Sequence, residues 1–130
     1  FVFLVVLGAI VAVVGMAMDA AAAKLQQIRH FLAPSFTFAD FLAWTGWSLA
    51  LALCSATAGH WGSRKAEGSG IPQLQAILAG TELPGYLSLR VLAAKVLGLV
   101  AALGAGLRVG KEGPFVHVAS ILATQLAALV

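Results

Sequence analysis

Two uncharged runs, Phe1 to Met18 and Phe41 to Gly59, constrain this chain more than any other feature. They hold eighteen and nineteen residues. As helices rising 1.5 Å per residue they would be ~27–29 Å long, about one hydrocarbon thickness of a bilayer. Without water to serve the backbone, a helix lets such a run satisfy its own N–H and C=O groups. Composition points the same way: 61% of residues are hydrophobic and 10% charged, against roughly 45–50% and ~25% in soluble domains. The chain reads as an all-α, multi-pass integral membrane protein.

A signal peptide is the rival reading of the first run. No basic stretch precedes Phe1, and Asp19 stands where a small-residue cleavage site would begin. The sequence is instead expected to start inside a helix and to be the N-terminal part of a larger membrane domain. The net charge of +3 is spread over single or paired basic residues, so no basic stripe for nucleic acid exists. Cys54 is the single cysteine, lies in an apolar run and has no His or Cys at ligand spacing. It predicts a buried thiol, with neither disulfide nor structural zinc in this segment. No cofactor or metal is expected.

The expected spans are about 1–23, 41–58, 89–103 and 114–130, with a short helix at about 72–79. Gly8, Gly15 and Ala20 to Ala23 give the first span the small residues that close helix contacts use. Residues 24–40, with Lys24, Arg29, His30 and Pro34, read as a polar connection. Trp44 and Trp47 sit near one end of the second span, where an aromatic belt would lie. The helix at 72–79 is too short to cross. Ser88 is the expected N-cap of the third span. Lys24 and Arg29 on one side balance Arg64 and Lys65 on the other, so the positive-inside count is a tie.

Polar residues concentrate in two segments. In Gly110-Lys111-Glu112-Gly113-Pro114, two charges stand between glycines, with long apolar stretches on both sides. A carboxylate at membrane depth costs about 2.5–3.5 kcal/mol on insertion scales and is read first as functional. Pro114 predicts a helix starting there, with Glu112 just before it. Free N–H groups and the positive end of the macrodipole at that start attract anions. Gly68-Ser69-Gly70-Ile71-Pro72 repeats this logic, and the Ser69 hydroxyl adds a donor. Two glycine-flanked, proline-initiated helix starts in one apolar chain match the way broken helices build anion sites in transporters.

Nucleotide readings fail by position. A P-loop needs Gly five residues before Gly110 and Ser or Thr after Lys111, where Ala105 and Glu112 stand. The dinucleotide pattern from Gly104 and Gly106 finds its next glycine one position late, at Gly110. From Gly68 and Gly70 it meets Gln73.

GSGIP at 68–72 and GKEGPFVHVAS at 110–120, separated by one short and one long helix, resemble the CLC family of chloride channels and chloride/proton exchangers. The resemblance covers about 59–130, and the first two spans fit by position and hydropathy. It implies a CLC-type transmembrane domain of discontinuous helices aimed at dehydrated chloride. Gly68, Ser69, Gly70, Ile71, Lys111, Glu112 and Gly113 would then bind chloride. The Ser69 hydroxyl would coordinate the central ion and favour chloride over nitrate, because nitrate-preferring relatives carry Pro there. Glu112 would be the gating glutamate, and the proton carrier in an exchanger. Lys95 would raise positive potential near the pore.

The resemblance further implies a voltage-gated chloride channel, with a chloride/proton antiporter as the alternative and a homodimer as the assembly. Chloride, other small anions, protons and the bilayer are the implied partners; nucleic acid is not. A non-conducting helical scaffold is the alternative from a different class. The sequence departs from relatives at Gln73, where many carry Glu or Asp, and at Arg108, where a neutral residue is usual. For Glu112 the bland alternative is an ion pair with Lys111 or Arg108. For Lys95 it is snorkelling to an interface, and for His117 simple packing on the face it shares with Ile121.

Overall fold

A computed structural model describes residues 1–35 and 37–128. These residues hold five α-helices: α1 (Val2–Phe31), α2 (Phe38–Thr57), α3 (Ile71–Leu78), α4 (Leu89–Gly104) and α5 (Glu112–Ala127). A π-helical turn, Ala58–Gly62, prolongs α2, and a 3₁₀ turn, Arg64–Ala66, follows it. The fold is all-α, with no strand among the described residues. Two elements are long and apolar enough to cross a membrane, Val2–Phe31 and Phe38–Gly62. α4 and α5 have 16 residues each, about 24 Å at 1.5 Å per residue. The expected end of the last span, at 130, lies outside the described residues.

α1 runs past 23, through most of the expected polar connection, to Phe31. Two of its polar residues there cap another helix. Gln26 Nε2 donates to the Leu103 carbonyl at 2.8 Å and Arg29 Nη1 to the Ala105 carbonyl at 2.8 Å. These carbonyls lie at the C-terminal end of α4, where a helix runs out of its own donors; that of Leu103 also accepts the Gly106 N–H at 3.0 Å. The Arg29 guanidinium also lies 4.8 Å from the Trp44 ring centroid, in a cation–π contact. Gly106, at φ +83°, leaves the space that the guanidinium occupies.

α4 is the centre on which α1, α2 and α5 pack. Small residues permit the approach. A Cβ on Gly104 would stand 2.7 Å from Leu25 Cβ, and one on Gly15 2.8 Å from Phe115 Cζ. Gly8, expected to serve the same purpose, faces open space. Ser55 Oγ donates to the Gly98 carbonyl at 2.7 Å and ties α2 to α4. Val91, Ala94 and Ile121 form a buried cluster with Ala66 of the 3₁₀ turn.

α2 lies at the edge of the packing and buries none of its residues. That position corrects the expectation for Cys54, which is exposed rather than buried.

α1 runs antiparallel to residues 103–115. Gly15 meets Phe115, Asp19 meets Lys111, and Gln26 and Arg29 meet Leu103 and Ala105. One rigid helix therefore braces both flanks of the GKEGP segment.

Candidate functional site

The approach to GSGIP is stitched down by cations. Arg90 Nε donates to the Gly62 carbonyl at 3.0 Å, and Lys65 Nζ donates to the Pro84 carbonyl. Lys95 Nζ donates to the carbonyls of Ala66 at 3.1 Å and Gly68 at 2.9 Å. Lys95 is only 4% exposed, so it does not snorkel; an ammonium at that depth requires such partners. Holding the Gly68 carbonyl on Lys95 also fixes the following peptide plane, whose N–H belongs to Ser69 and points opposite to that carbonyl.

Gly68 and Gly70 adopt left-handed φ values of +73° and +81°, a conformation glycine reaches without a Cβ penalty. Gly70 is the N-cap of α3 and Ile71 its first residue, with Pro72 second. Ser69 Oγ accepts a long hydrogen bond from the Ile71 N–H at 3.4 Å. Its own hydroxyl proton is left to point elsewhere. The Ile71 N–H, by contrast, is turned toward Ser69.

The second motif differs from expectation in register. α5 begins with Glu112 itself, Lys111 is its N-cap, and the Phe115 N–H reaches the Lys111 carbonyl at 2.9 Å. Pro114 is thus the third residue of the helix. The first N–H groups of any helix lack internal partners, so proline fits anywhere in that turn. Glu112 stands in the helix rather than before it, and its side chain is exposed.

The two motifs touch. A Cβ on Gly113 would lie 2.8 Å from Ser69 Cβ and 3.6 Å from Ile71 Cδ1. Only a hydrogen at Gly113 allows the start of α5 to approach the start of α3 so closely. Beside this contact opens a cavity of about 950 Å³, lined by Gly68, Ser69, Lys95, Gly110 and Pro114 among others. Apolar residues such as Leu53, Leu99 and Ala102 also line it, as do His60 and Glu67. Glu112 and Lys111 do not line this cavity.

Lys111 turns away from Glu112. Its ammonium is 2.9 Å from both carboxylate oxygens of Asp19 on α1. Among the described residues Glu112 makes no ion pair with Lys111 or Arg108. Asp19 is the partner that sequence reasoning missed. The signal for it was present: a lone acid interrupting an apolar helix needs a partner or a function. The Gln26 and Arg29 caps and the Lys95 bonds to carbonyls had no such signal. Arg108 is exposed, and nothing in the structure explains it.

His117, one turn beyond Gly113, is fully buried. Its ring stacks on Tyr86 at a centroid distance of 4.3 Å and an interplanar angle of 11°. Ile121 is fully buried on the same face, as the spacing of four predicts.

Here, then, two helices start side by side without side-chain caps, in a fold of membrane-length helices. This is the class of membrane protein whose discontinuous helices present their N-termini to one place. The family model described as voltage gated chloride channel matches residues 46–129, and the chain belongs to that family. It is 46% identical to chloride channel protein clh-3 of Caenorhabditis elegans, with 100% of the chain and 13% of the relative aligned. It is 42% identical to chloride channel protein 2 of Drosophila melanogaster, over 100% of the chain and 11% of that protein. Identity to human chloride channel protein 1 is 45%, over 97% of the chain and 13% of the relative. The chain thus spans between a tenth and a seventh of the length of these relatives.

Proposed function

We propose that this segment builds part of a chloride pathway across a membrane, in a voltage-gated chloride channel of homodimeric assembly. The observation that carries the reading is the contact of Gly113 with Ser69, which joins two uncapped helix starts beside a cavity holding Lys95. Each helix start contributes a partial positive charge of roughly half a unit. The Ser69 hydroxyl and the backbone N–H groups of the two motifs are neutral donors. Their hold on an anion is strong enough for entry and weak enough for exit. Lys95 adds a full charge close by, spent on carbonyls rather than on the ion. The dimer rests on the family resemblance alone.

Glu112 is the gate in this reading. At the first position of α5 its carboxylate competes with chloride for the same electropositive helix start. Lys111, occupied by Asp19, leaves that carboxylate free to swing in or out. Glu112→Ala in a full-length chain carrying this segment is expected to abolish voltage-dependent closure while chloride current persists. Voltage steps under patch clamp check this. A variant that keeps the native voltage dependence would show that Glu112 is not the gate.

A further inference from the structure

The family reading leaves His117 unemployed, yet it is one of the most completely buried side chains of the molecule. A histidine at 0% exposure must be held by something. Its Nε2 is 3.3 Å from the Tyr86 carbonyl; a carbonyl only accepts, so Nε2 carries the proton and donates. In the neutral ring Nδ1 is then an acceptor, and it has no partner among the described residues. That edge of the imidazole faces Gly70. A Cβ on Gly70 would lie 2.8 Å from Nδ1, 2.9 Å from Cγ and 3.0 Å from the His117 Cβ.

The spacing along α5 gives this contact its meaning. Gly113 and His117 are four apart and share one helix face. Gly113 abuts Ser69 and His117 abuts Gly70, so two points one turn apart on α5 hold two consecutive residues of GSGIP. Gly70 is the left-handed N-cap at which the chain turns into α3. Its backbone sets where the Ser69 hydroxyl sits. Packed interiors transmit such displacements because they hold few voids.

We infer that His117 is a positioning residue for anion selectivity: its ring, clamped between Tyr86 and Gly70, sets the Ser69–Gly70 turn and hence the placement of the Ser69 donor. The inference rests on the proposed anion role of Ser69. His117 does not touch the ion in this scheme. What matters is the volume and stacking of its ring.

The test is the nitrate-to-chloride permeability ratio, from bi-ionic reversal potentials, in full-length chains carrying His117→Ala, His117→Phe and Ser69→Ala. His117→Ala is expected to shift the ratio about two- to fivefold, the scale of moving a neutral donor rather than deleting it. His117→Phe, which keeps a stacking ring, is expected to restore it most of the way, a rescue that mere loss of stability would not produce. Should His117→Ala fail to assemble, His117→Asn vacates the ring, keeps an N–H for the Tyr86 carbonyl, and is read in the same way. A native ratio in His117→Ala, or a Phe variant as shifted as the Ala variant, overturns the inference if Ser69→Ala shifts the ratio. No shift in Ser69→Ala overturns the anion role of Ser69 itself, and the inference with it.

Discussion

Helices α2 and α4 begin sealed, on N-cap residues Thr37 and Ser88 that carry a side-chain oxygen, whereas α3 and α5 begin open, on N-caps Gly70 and Lys111 that carry none. At α4 the Ser88 hydroxyl accepts the Val91 N–H at 3.4 Å. At α2 the Asp40 carboxylate accepts the N–H groups of Thr37 and Ser35 at 3.1 and 3.3 Å. At α3 the N-cap is Gly70, without a side chain, and Ser69 reaches only the first N–H. At α5 the N-cap is Lys111, whose ammonium is bound to Asp19 instead. Capping satisfies free N–H groups with the protein's own oxygens. At α3 and α5 the N-cap residue supplies no such oxygen, and the contact at Gly113 brings these two starts together.

That difference can be broken most severely at Lys95. Lys95→Met would leave the carbonyls of Ala66 and Gly68 without their donor, at about 1–3 kcal/mol for the buried bond to Ala66 and less for the part-buried one to Gly68. The expected result is a large fall in melting temperature and in conducting protein, read by thermal denaturation in detergent and by current density. A smaller effect is expected at the sealed start. Ser88→Ala should cost about 1 kcal/mol of stability, as loss of a helix cap does, with unchanged anion selectivity. Smallest of all is Asp19→Asn. The ion pair it removes has side chains 55% and 56% exposed, and such pairs contribute at most about 1 kcal/mol. Melting temperature should barely move, and gating should change only as far as Lys111 becomes free to approach Glu112. A shift as large as that of Lys95→Met would show that α1 carries far more of the site than its exposed ion pair implies.

The helices and the two motifs were legible because their signals are local. Uncharged runs of membrane length, the Ser88 cap and the glycine–proline pairs each declare themselves within a few residues. What was not legible is contact across the chain. Gln26 and Arg29 look like loop residues until the end of α4 is seen beneath them. Lys95 reads as a pore lysine or a snorkelling one, and its bonds to the Ala66 and Gly68 carbonyls go unseen, because backbone partners leave no mark in sequence. Cys54 reads as buried since apolar runs usually face a core, but α2 sits at the edge. Pro114 points to a helix that starts at itself because proline favours the first position; its missing N–H costs no helix bond elsewhere in the first turn, and α5 starts two residues earlier, at Glu112.

The most direct measurement sets an open start against a sealed one: the nitrate-to-chloride permeability ratio of Ser69→Pro beside that of Ser88→Ala, each in a full-length chain. Ser69→Pro removes the hydroxyl donor at the meeting point of α3 and α5, and the ratio should rise toward nitrate. Ser88→Ala removes a cap bond, to the Val91 N–H, that involves neither motif and should leave the ratio native. Equal ratios in both variants and the native protein would contradict the assignment of the paired open helix starts as the anion site.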